Sequence, residues 1–435
     1  MEIHILPERG LWPGLSRRDA VAEAHEETAR IVAEVFDNVA TYGDKAVREY
    51  EKKFTGAVRE SLRVAEDEIY EAAGMITAEL KEAIEKAAAN IAAFHGAQKM
   101  HRVEVETARG VVCSQRQVPI DTVGLYVPGG NSPLFSTILM LGVPARIAGC
   151  SRVVMATPAD ATGKVHPAIL YAAQIAGVTD IYAMGGAQAI AAMALGTESV
   201  PRVYKIFGPG NRFVMEAKQL ACYRRGTALD MPAGPSEVMV IADKTASAEF
   251  IAADFLSQAE HGPDSQSILL TDSREVLDAT VNEIERQLSS LPRREMMQKS
   301  LEHSRLIQLG SMAEVMEFAN AYAPEHLIIN TADAEALAGE VRSAGSVFIG
   351  QWSTESAGDY ASGTNHTLPT SGYATAYSGV NLDSFCKKIT YQRLTPEGVE
   401  SLAPTVMAMA KAEGLEAHSR AMEVRKEALK KSALC

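Results

Sequence analysis

The sequence has few cysteines and lacks any Cys-x-x-Cys pair, which excludes two common kinds of site. Five cysteines in 435 residues are odd in number and widely scattered. They therefore form neither a disulfide framework nor a cysteine-based structural zinc site. We expect reduced thiols that serve packing at all five positions: Cys113, Cys150, Cys222, Cys386 and Cys435.

Basic clusters, a leader segment and a membrane-spanning run are also missing. The net charge is −13, and no block of Lys and Arg precedes Lys430-Lys431, which argues against a nucleic-acid partner. The N-terminus lacks a basic segment followed by an apolar core. The longest apolar run, Pro133 to Ile147, is interrupted by Pro144 and Arg146 and is too short to span a bilayer. We expect a cytoplasmic protein that acts on small molecules, with no membrane partner.

Two series of short β-rich runs alternate with helical stretches, and this alternation predicts parallel sheets with crossover helices. The runs of the first series are Val123-Val127, Arg152-Ala156, Thr179-Ala183 and Val203-Phe207. Those of the second are Glu237-Ala242, Ser267-Thr271, His326-Asn330 and Ser346-Ile349. Three-four spacing of apolar residues predicts long helices over Asp19–Lys53 and Ala65–His95, and again after Thr395, a plausible N-cap.

The predicted fold is α/β, with two Rossmann-like parallel-sheet units, N-terminal helices and a helical C-terminal tail. We expect four regions. They are a helical region packing on the core (1–110), a first unit (111–235), a second unit (236–380) and a helical tail (381–435). The segment from Trp352 to Ser378 is crowded with small and polar residues, which is typical of a binding loop.

Three strands of the first series end in glycine turns: Pro128-Gly129-Gly130, Gly185-Gly186 and Gly208-Pro209-Gly210. Ligands of open α/β sheets bind beyond the carboxyl ends of strands, where glycine lets the backbone approach and helix N-termini face anions. None of the three is a GxGxxG fingerprint, and ordinary turn glycines explain them equally well.

Gln258 and His261 stand three residues apart at the end of a predicted helix that Gly262-Pro263 terminates. This spacing puts the amide and the imidazole on one face, where both can bind one metal ion. A histidine that complements the helix dipole is the competing interpretation.

Further polar candidates occur elsewhere in the chain. Glu325-His326 precedes an apolar strand and offers two proton-transfer groups, although a solvated loop pair would look the same. Asp359 lies among small residues, where an Asx-turn is the alternative. His418 of the tail supplies a further imidazole, and an exposed helix residue is the alternative interpretation. Gln, His, Asp and His are a plausible mixed set for zinc, and the amide ligand indicates a site open to substrate.

Seven segments together resemble the L-histidinol dehydrogenase family over nearly the whole chain. They are Gly124-Leu125-Tyr126-Val127-Pro128-Gly129-Gly130, Gly185-Gly186-Ala187-Gln188-Ala189-Ile190, Phe207-Gly208-Pro209-Gly210-Asn211, 230–237 (DMPAGPSE), 256–266 (LSQAEHGPDSQ), Pro324-Glu325-His326-Leu327 and Ser356-Ala357-Gly358-Asp359-Tyr360. The resemblance implies a zinc-binding, NAD-dependent enzyme that oxidises L-histidinol through L-histidinal to L-histidine with two NAD, in the last steps of histidine biosynthesis.

The resemblance also implies roles for individual residues. Gln258, His261, Asp359 and His418 would hold one zinc ion per subunit, with His418 donated by the tail of the second chain of a homodimer. Glu325 and His326 would transfer protons, His326 as general base and Glu325 activating water. Tyr126, Gln188 and Asn211 would contact NAD. Ser236 and Glu413 would contact the substrate, together with His326 and the four zinc ligands.

Three other functions remain possible from the sequence. A related dehydrogenase that oxidises another small polyol would share much of the metal site. A zinc hydrolase could use Glu325 to activate a metal-bound water, but the glycine-ended first unit would then have no role. A non-catalytic nucleotide-binding module would not need four metal-capable side chains.

Overall fold

The computed structural model describes residues 1–16, 22–129 and 133–432. Asp19, where the first long helix is predicted to begin, Gly130 of the first glycine turn, and Cys435 lie outside the described residues. Within the described ranges, no helix combines the length and apolarity needed to cross a bilayer.

The strands, in chain order, are β1 (Glu2–Ile5), β2 (Val103–Ala108), β3 (Val111–Pro119), β4 (Thr122–Tyr126), β5 (Arg152–Thr157), β6 (Asp180–Ala183), β7 (Lys205–Phe207), β8 (Ala228–Leu229), β9 (Glu237–Ala242), β10 (Gln266–Thr271), β11 (Arg305–Gln308), β12 (His326–Asn330), β13 (Ser346–Ile349) and β14 (Cys386–Leu394). The α-helices are α1 (Trp12–Ser16), α2 (Ala22–Phe54), α3 (Glu66–Ala72), α4 (Ala78–Gly96), α5 (Phe135–Ala148), α6 (Pro167–Ala176), α7 (Gly186–Leu195), α8 (Arg212–Arg225), α9 (Ala248–Ala259), α10 (Arg274–Leu288), α11 (Arg294–Glu302), α12 (Met312–Tyr322), α13 (Ala334–Ala338), α14 (Glu355–Tyr360), α15 (Pro396–Ala412) and α16 (Glu416–Ser432).

The first series of predicted strands forms a parallel sheet in the order β6-β5-β4-β7-β8. Alternate residues of β5 enter different cores. Val153 and Met155 pack in the layer that contains α4, α5 and α6, whereas Val154 and Ala156 pack with α2 and α7. Because helices cover both faces, the interiors of the strands are apolar on both faces rather than alternating with polar residues, and the charged Arg152, Asp180 and Lys205 stand at the starts of strands.

The second series forms a parallel sheet in the order β1-β11-β10-β9-β12-β13. Strands β9, β12 and β13 begin and end at the predicted residues. Strand β1 joins this sheet beside β11, although it lies in the region predicted to be helical. The two parallel sheets and their covering helices confirm the predicted α/β fold.

A third sheet, antiparallel and in the order β14-β3-β2, was not predicted. It belongs to a second compact unit, Lys99–Pro119 with Cys386–Cys435, while Met1–Gln98 and Ile120–Phe385 form the first. Residues 111–119 therefore do not join the first parallel sheet, to which the predicted boundaries assigned them. The reason is that β3 pairs along its length with β14, a strand from the distant end of the chain.

Helix ends follow local sequence signals. The prediction of one helix over Ala65–His95 is wrong, because two helices occupy this range. Helix α3 ends at Ala72, and the Thr77 side chain caps the start of α4. Thr395 caps α15 as predicted, by accepting the Gly398 N–H. The described cysteines are not joined in disulfides, as expected.

Candidate active site

The predicted metal-binding stretch is the C-terminal end of α9. Gln258 lies in its last turn and is fully buried, and neither amide atom of its side chain forms a hydrogen bond with a described residue. His261 follows, with its backbone N–H donating to the Gln258 carbonyl (3.2 Å) and its side chain 46% exposed. An unsatisfied buried amide costs about 1–3 kcal/mol, so Gln258 indicates a ligand at this position.

Glu325 and His326 are fixed at the start of β12, on the amino edge of the second sheet. The Glu325 carboxylate accepts the backbone N–H of Glu237 (2.8 Å), the first residue of β9. His326 Nδ1 lies 3.2 Å from the Glu237 carbonyl oxygen. Because a carbonyl can only accept, Nδ1 is the donor, and Nε2 is left as the basic atom of the neutral ring. Nε2 lies 3.4 Å from Asp359 Oδ1.

Helix α14 supplies two carboxylates from one face, because Glu355 and Asp359 are four residues apart. Both side chains are buried, Glu355 to 1% exposure. The Glu355 Oε1 lies 3.6 Å from His326 Nδ1. Gly358 permits the close approach of this helix to the sheet, since a Cβ there would lie 2.6 Å from the Phe348 ring.

These side chains form a group with the chemistry of a metal site. One ligand atom from each of His261, Glu355 and Asp359 lies within 4.8 Å of the others. Both Glu355 oxygens, Asp359 Oδ1 and the Gln258 amide are buried and make no hydrogen bond to the described residues. The mixed nitrogen and oxygen donors fit zinc. We call Gln258, His261, His326, Glu355 and Asp359 the donor cluster.

The donor cluster and the adjoining Glu325 bring several acidic side chains together in a buried place. Burial raises the pKa of Glu325 to about 8 and the pKa of Glu355 well above its ordinary range. Burial lowers the pKa of His326, but the neighbouring carboxylates of Glu355, Glu325 and Asp359 raise it well above the usual value. A bound dication would favour the ionised forms of these carboxyl groups and balance their charge.

His366 connects the donor cluster to the helix that follows β4. Its Nδ1 lies 2.9 Å from the Asp359 carbonyl oxygen, and its Nε2 lies 3.2 Å from Thr137 Oγ1 on α5. The Asn365 side chain also donates to the Met140 carbonyl of α5 (2.6 Å). The donor cluster and the first sheet are therefore linked through α5.

Two of the residues expected to contact NAD lie at the Gly185-Gly186 turn, and both have partners within the protein. The Tyr126 hydroxyl accepts the Gly186 N–H (3.1 Å), and burial raises the pKa of Tyr126 to about 12. Gln188 Nε2 donates to Glu51 (2.8 Å), which also accepts the Gly185 N–H (2.8 Å).

The third expected NAD contact, Asn211, caps α8 by accepting two backbone N–H groups of the first turn. The preceding turn is fixed by a buried ion pair: Asp230 accepts the Gly208 N–H (2.8 Å), and Lys218 donates to Asp230 and to the Gly208 carbonyl (2.9 Å). The amides of Gly185, Gly186 and Gly208 thus donate internally. They are not open phosphate-binding amides of the kind that the glycine turns suggested.

The expected substrate contacts divide between the two units. Ser236 is half-buried immediately before β9, and its carbonyl accepts the Gln266 N–H (3.1 Å). Glu413, which ends α15, and His418, in the first turn of α16, are exposed residues of the second unit. The structure therefore brings together His261, Asp359, Glu325 and His326 within the first unit, and places Glu413 and His418 in the other.

Glu355 is the member of the donor cluster that the sequence interpretation missed. Within the Trp352–Ser378 segment the sequence indicates Asp359 but not Glu355, because a glutamate in a polar loop is ordinary. The four-residue spacing of Glu355 and Asp359 on a short helix is the signal that indicates it.

The fold and the donor cluster define an α/β enzyme with a buried acid–base site of metal-binding type. Residues 18–426 match the family model of histidinol dehydrogenase, and the chain therefore belongs to the histidinol dehydrogenase family, oxidoreductases of histidine biosynthesis.

Individual relatives agree over almost the whole length. The chain is 53% identical over 431 residues to histidinol dehydrogenase of Bacteroides fragilis, covering 99% of this chain and 100% of the relative. It is 52% identical to the Escherichia coli enzyme, covering 96% of each. The crystal structure of histidinol dehydrogenase from Elizabethkingia anophelis superposes with a TM-score of 0.96 at 49% identity, covering 99% of both chains.

Proposed function

We propose that the chain catalyses the NAD-dependent, four-electron oxidation of L-histidinol through L-histidinal to L-histidine. The observation that supports it most directly is the donor cluster. Its buried amide and carboxylate atoms have no hydrogen-bond partner among the described residues, and it includes His326 of a Glu-His pair suited to proton transfer. Family membership supports the identity of the substrate.

The metal of the proposal is zinc, one ion per subunit. Gln258, His261 and Asp359 would hold it, and the partner subunit's His418 would complete the set. Bound zinc acts as a Lewis acid and orients a substrate that offers imidazole and amine nitrogens. Glu355 would remain beside this set as a carboxylate that balances the charge of the ion and of His326.

His326 is the general base in this proposal. Its Nε2 is the basic atom because Nδ1 is held by the Glu237 carbonyl, as described above. Nε2 would take the hydroxyl proton of histidinol while the hydride leaves the same carbon for the nicotinamide ring. The product of this step is the aldehyde.

Glu325 prepares the second oxidation. Its carboxylate would remove a proton from the water that adds to the aldehyde. The aldehyde oxygen would take up the proton that His326 received in the first step, which gives the hydrate and returns His326 to its basic form. A pKa near 8, raised by burial, places Glu325 where proton exchange is efficient close to neutral pH. The hydrate would then lose a proton to His326 and a second hydride to NAD, which leaves the carboxylic acid, and ionisation of this acid gives the histidine carboxylate.

Cofactor and substrate contacts complete the proposal. NAD accepts the hydrides, and Tyr126, Gln188 and Asn211 would bind it at the carboxyl ends of the first sheet. Ser236 and Glu413 would bind the polar groups of histidinol beside the donor cluster.

Counting NADH per molecule of substrate tests the reaction. Two NADH per histidinol, with histidine as the only product, is the expected result, and one NADH would contradict the four-electron oxidation. Histidinol compared with other small amino alcohols and diols tests the substrate, and metal-dependent hydrolysis without NADH would favour the hydrolase instead.

The exposure of the tail supports a homodimer in which each chain donates His418 to the other. Large apolar side chains of Met409 and Leu415 are exposed near His418 in the second unit, as expected of a surface that a second chain covers.

The test of the donated His418 co-expresses two variants that should each be inactive alone, His326→Asn and His418→Asn. If each site takes His418 from the other chain, one of the two sites in every mixed dimer is intact, and about a quarter of normal activity returns at random pairing. No recovery in proven mixed dimers would contradict the donation.

A further inference from the structure

Glu51 is a buried acid that the proposed chemistry does not use. It lies near the end of α2 and is 3% exposed. One carboxylate oxygen accepts two hydrogen bonds of 2.8 Å, from the Gly185 backbone N–H and from Gln188 Nε2. The other oxygen makes no hydrogen bond with a described residue. A buried carboxylate is unfavourable unless donors of this kind compensate it.

The two donors belong to one turn that carries the expected cofactor contacts. Gly186 has φ +59°, a backbone conformation that favours glycine, and its N–H donates to the Tyr126 hydroxyl (3.1 Å). A Cβ on Gly186 would lie 2.8 Å from Gln188 Oε1. The Gln188 amide is thus held through Nε2 by Glu51, and its Oε1 occupies space that only a glycine at position 186 leaves open.

Packing alone does not require an acid at this position. Helices α2 and α7 already share an apolar core that includes Val32, Phe36, Val47, Ile190 and Met193. An apolar residue in place of Glu51 would extend that core. What only an acceptor can do here is fix the turn and the Gln188 amide.

We propose that Glu51 is a positioning residue for the cofactor, which sets the Gly185-Gly186 turn and the Gln188 amide in the arrangement that NAD requires. The inference rests on the proposed assignment of Tyr126 and Gln188 to NAD. It predicts a selective effect, because the donor cluster that would bind histidinol has no hydrogen bond to Glu51.

Two substitutions of similar size distinguish the effect of the hydrogen-bond acceptor at position 51 from the effect of side-chain volume. Glu51→Met fills the space without an acceptor, and we expect the KM for NAD to rise about tenfold or more while the KM for histidinol stays within about twofold. Glu51→Gln keeps an acceptor oxygen, and its KM for NAD should stay within about threefold of the original. Equal rises of both KM values, or equal effects of the two substitutions, would overturn the proposal.

Two further variants make the outcome unambiguous. Glu198→Ala is the matched control, because this exposed residue accepts the Asp44 N–H (2.8 Å) on the same helix α2 but does not touch the turn, and neither KM should change. If Glu51→Met does not fold, Glu51→Asp gives the same test, since its shorter side chain withdraws the acceptor while keeping the charge.

Gln188→Ala distinguishes this inference from the proposed function. If it raises the KM for NAD and the Glu51 variants do not, the cofactor site stands and the role of Glu51 is refuted. If neither residue affects NAD, the assignment of the turn to NAD is wrong, and the inference falls with it.

Discussion

The donor cluster and the glycine turns of the first sheet differ in whether their buried polar groups have hydrogen-bond partners in the protein. In the donor cluster, the Gln258 amide, both Glu355 oxygens and Asp359 Oδ1 make no hydrogen bond with described residues. At the glycine turns, the amides of Gly185, Gly186 and Gly208 all donate to side chains of the protein.

The difference indicates two ways of making a binding site. Each unsatisfied buried polar atom of the donor cluster destabilises the fold by about 1–3 kcal/mol, and a ligand that satisfies it recovers this free energy on binding. The amides of Gly185, Gly186 and Gly208 have nothing of this kind to recover, because each already donates to a side chain. The glycine turns contribute a fixed shape, which Glu51 and the Lys218–Asp230 pair maintain.

The largest expected effect comes from removing the proposed general base, His326, from the donor cluster. His326→Asn removes the basic Nε2 while leaving an amide of similar bulk, and we expect turnover to fall about 10³-fold. Zinc content by elemental analysis and the KM for NAD should stay unchanged, because His326 is neither a proposed zinc ligand nor part of the turns. Loss of the metal on this substitution would contradict the separation of proton transfer from metal binding.

One substitution made in both regions sharpens the comparison. Glu355→Gln removes a buried charge that lies 3.6 Å from His326 and among the metal-type ligands, and we expect metal affinity or activity to fall about 10- to 100-fold. Glu51→Gln, the same chemical change at the glycine turn, should leave metal affinity unchanged. Competition with a chelator measures both. Equal affinities in the two variants would show that Glu355 plays no part in balancing the metal.

Local patterns predicted the elements well, and long-range pairing limited the rest. Strands such as β9 and β12 can be predicted from a few consecutive residues, because both faces of these strands are buried and the whole run is therefore apolar. The pairing of β1 with β11, and of β3 with β14, joins segments hundreds of residues apart, which no local pattern encodes.

The same distinction applies to the site. The spacing of Gln258 and His261 placed them correctly at the end of α9. The sequence does not distinguish Glu51 from the other charged residues of its helix, although it lies four residues after the buried Val47 and so on the apolar face. Burial of a single acid depends on which element packs over it, and sequence spacing alone does not specify that.

The smallest expected effect concerns stability beside the donor cluster. Asp254, one turn before Gln258, accepts a hydrogen bond from Thr354 (2.7 Å), and burial raises its pKa from 3.8 to about 6. A raised pKa in the folded state means that the folded protein binds the Asp254 proton more tightly than the unfolded chain does. The stability that this proton contributes is complete below pH 4 and is lost as pH rises through 6. Asp254→Asn keeps the acceptor without the charge. In metal-free protein it should match the original below pH 4 and be more stable above pH 6, by about 1 kcal/mol or somewhat more, since the full shift corresponds to about 3 kcal/mol.

Asp243→Asn is the control with the opposite expected effect. Burial raises the pKa of Asp243, but hydrogen bonds from Thr245 and Ala332 outweigh burial and lower it, so the substitution should destabilise the protein above pH 4. Denaturant unfolding across pH 3.5 to 8 measures both, and a stability difference for Asp254→Asn that does not change with pH would show that its charge is not buried at the cluster.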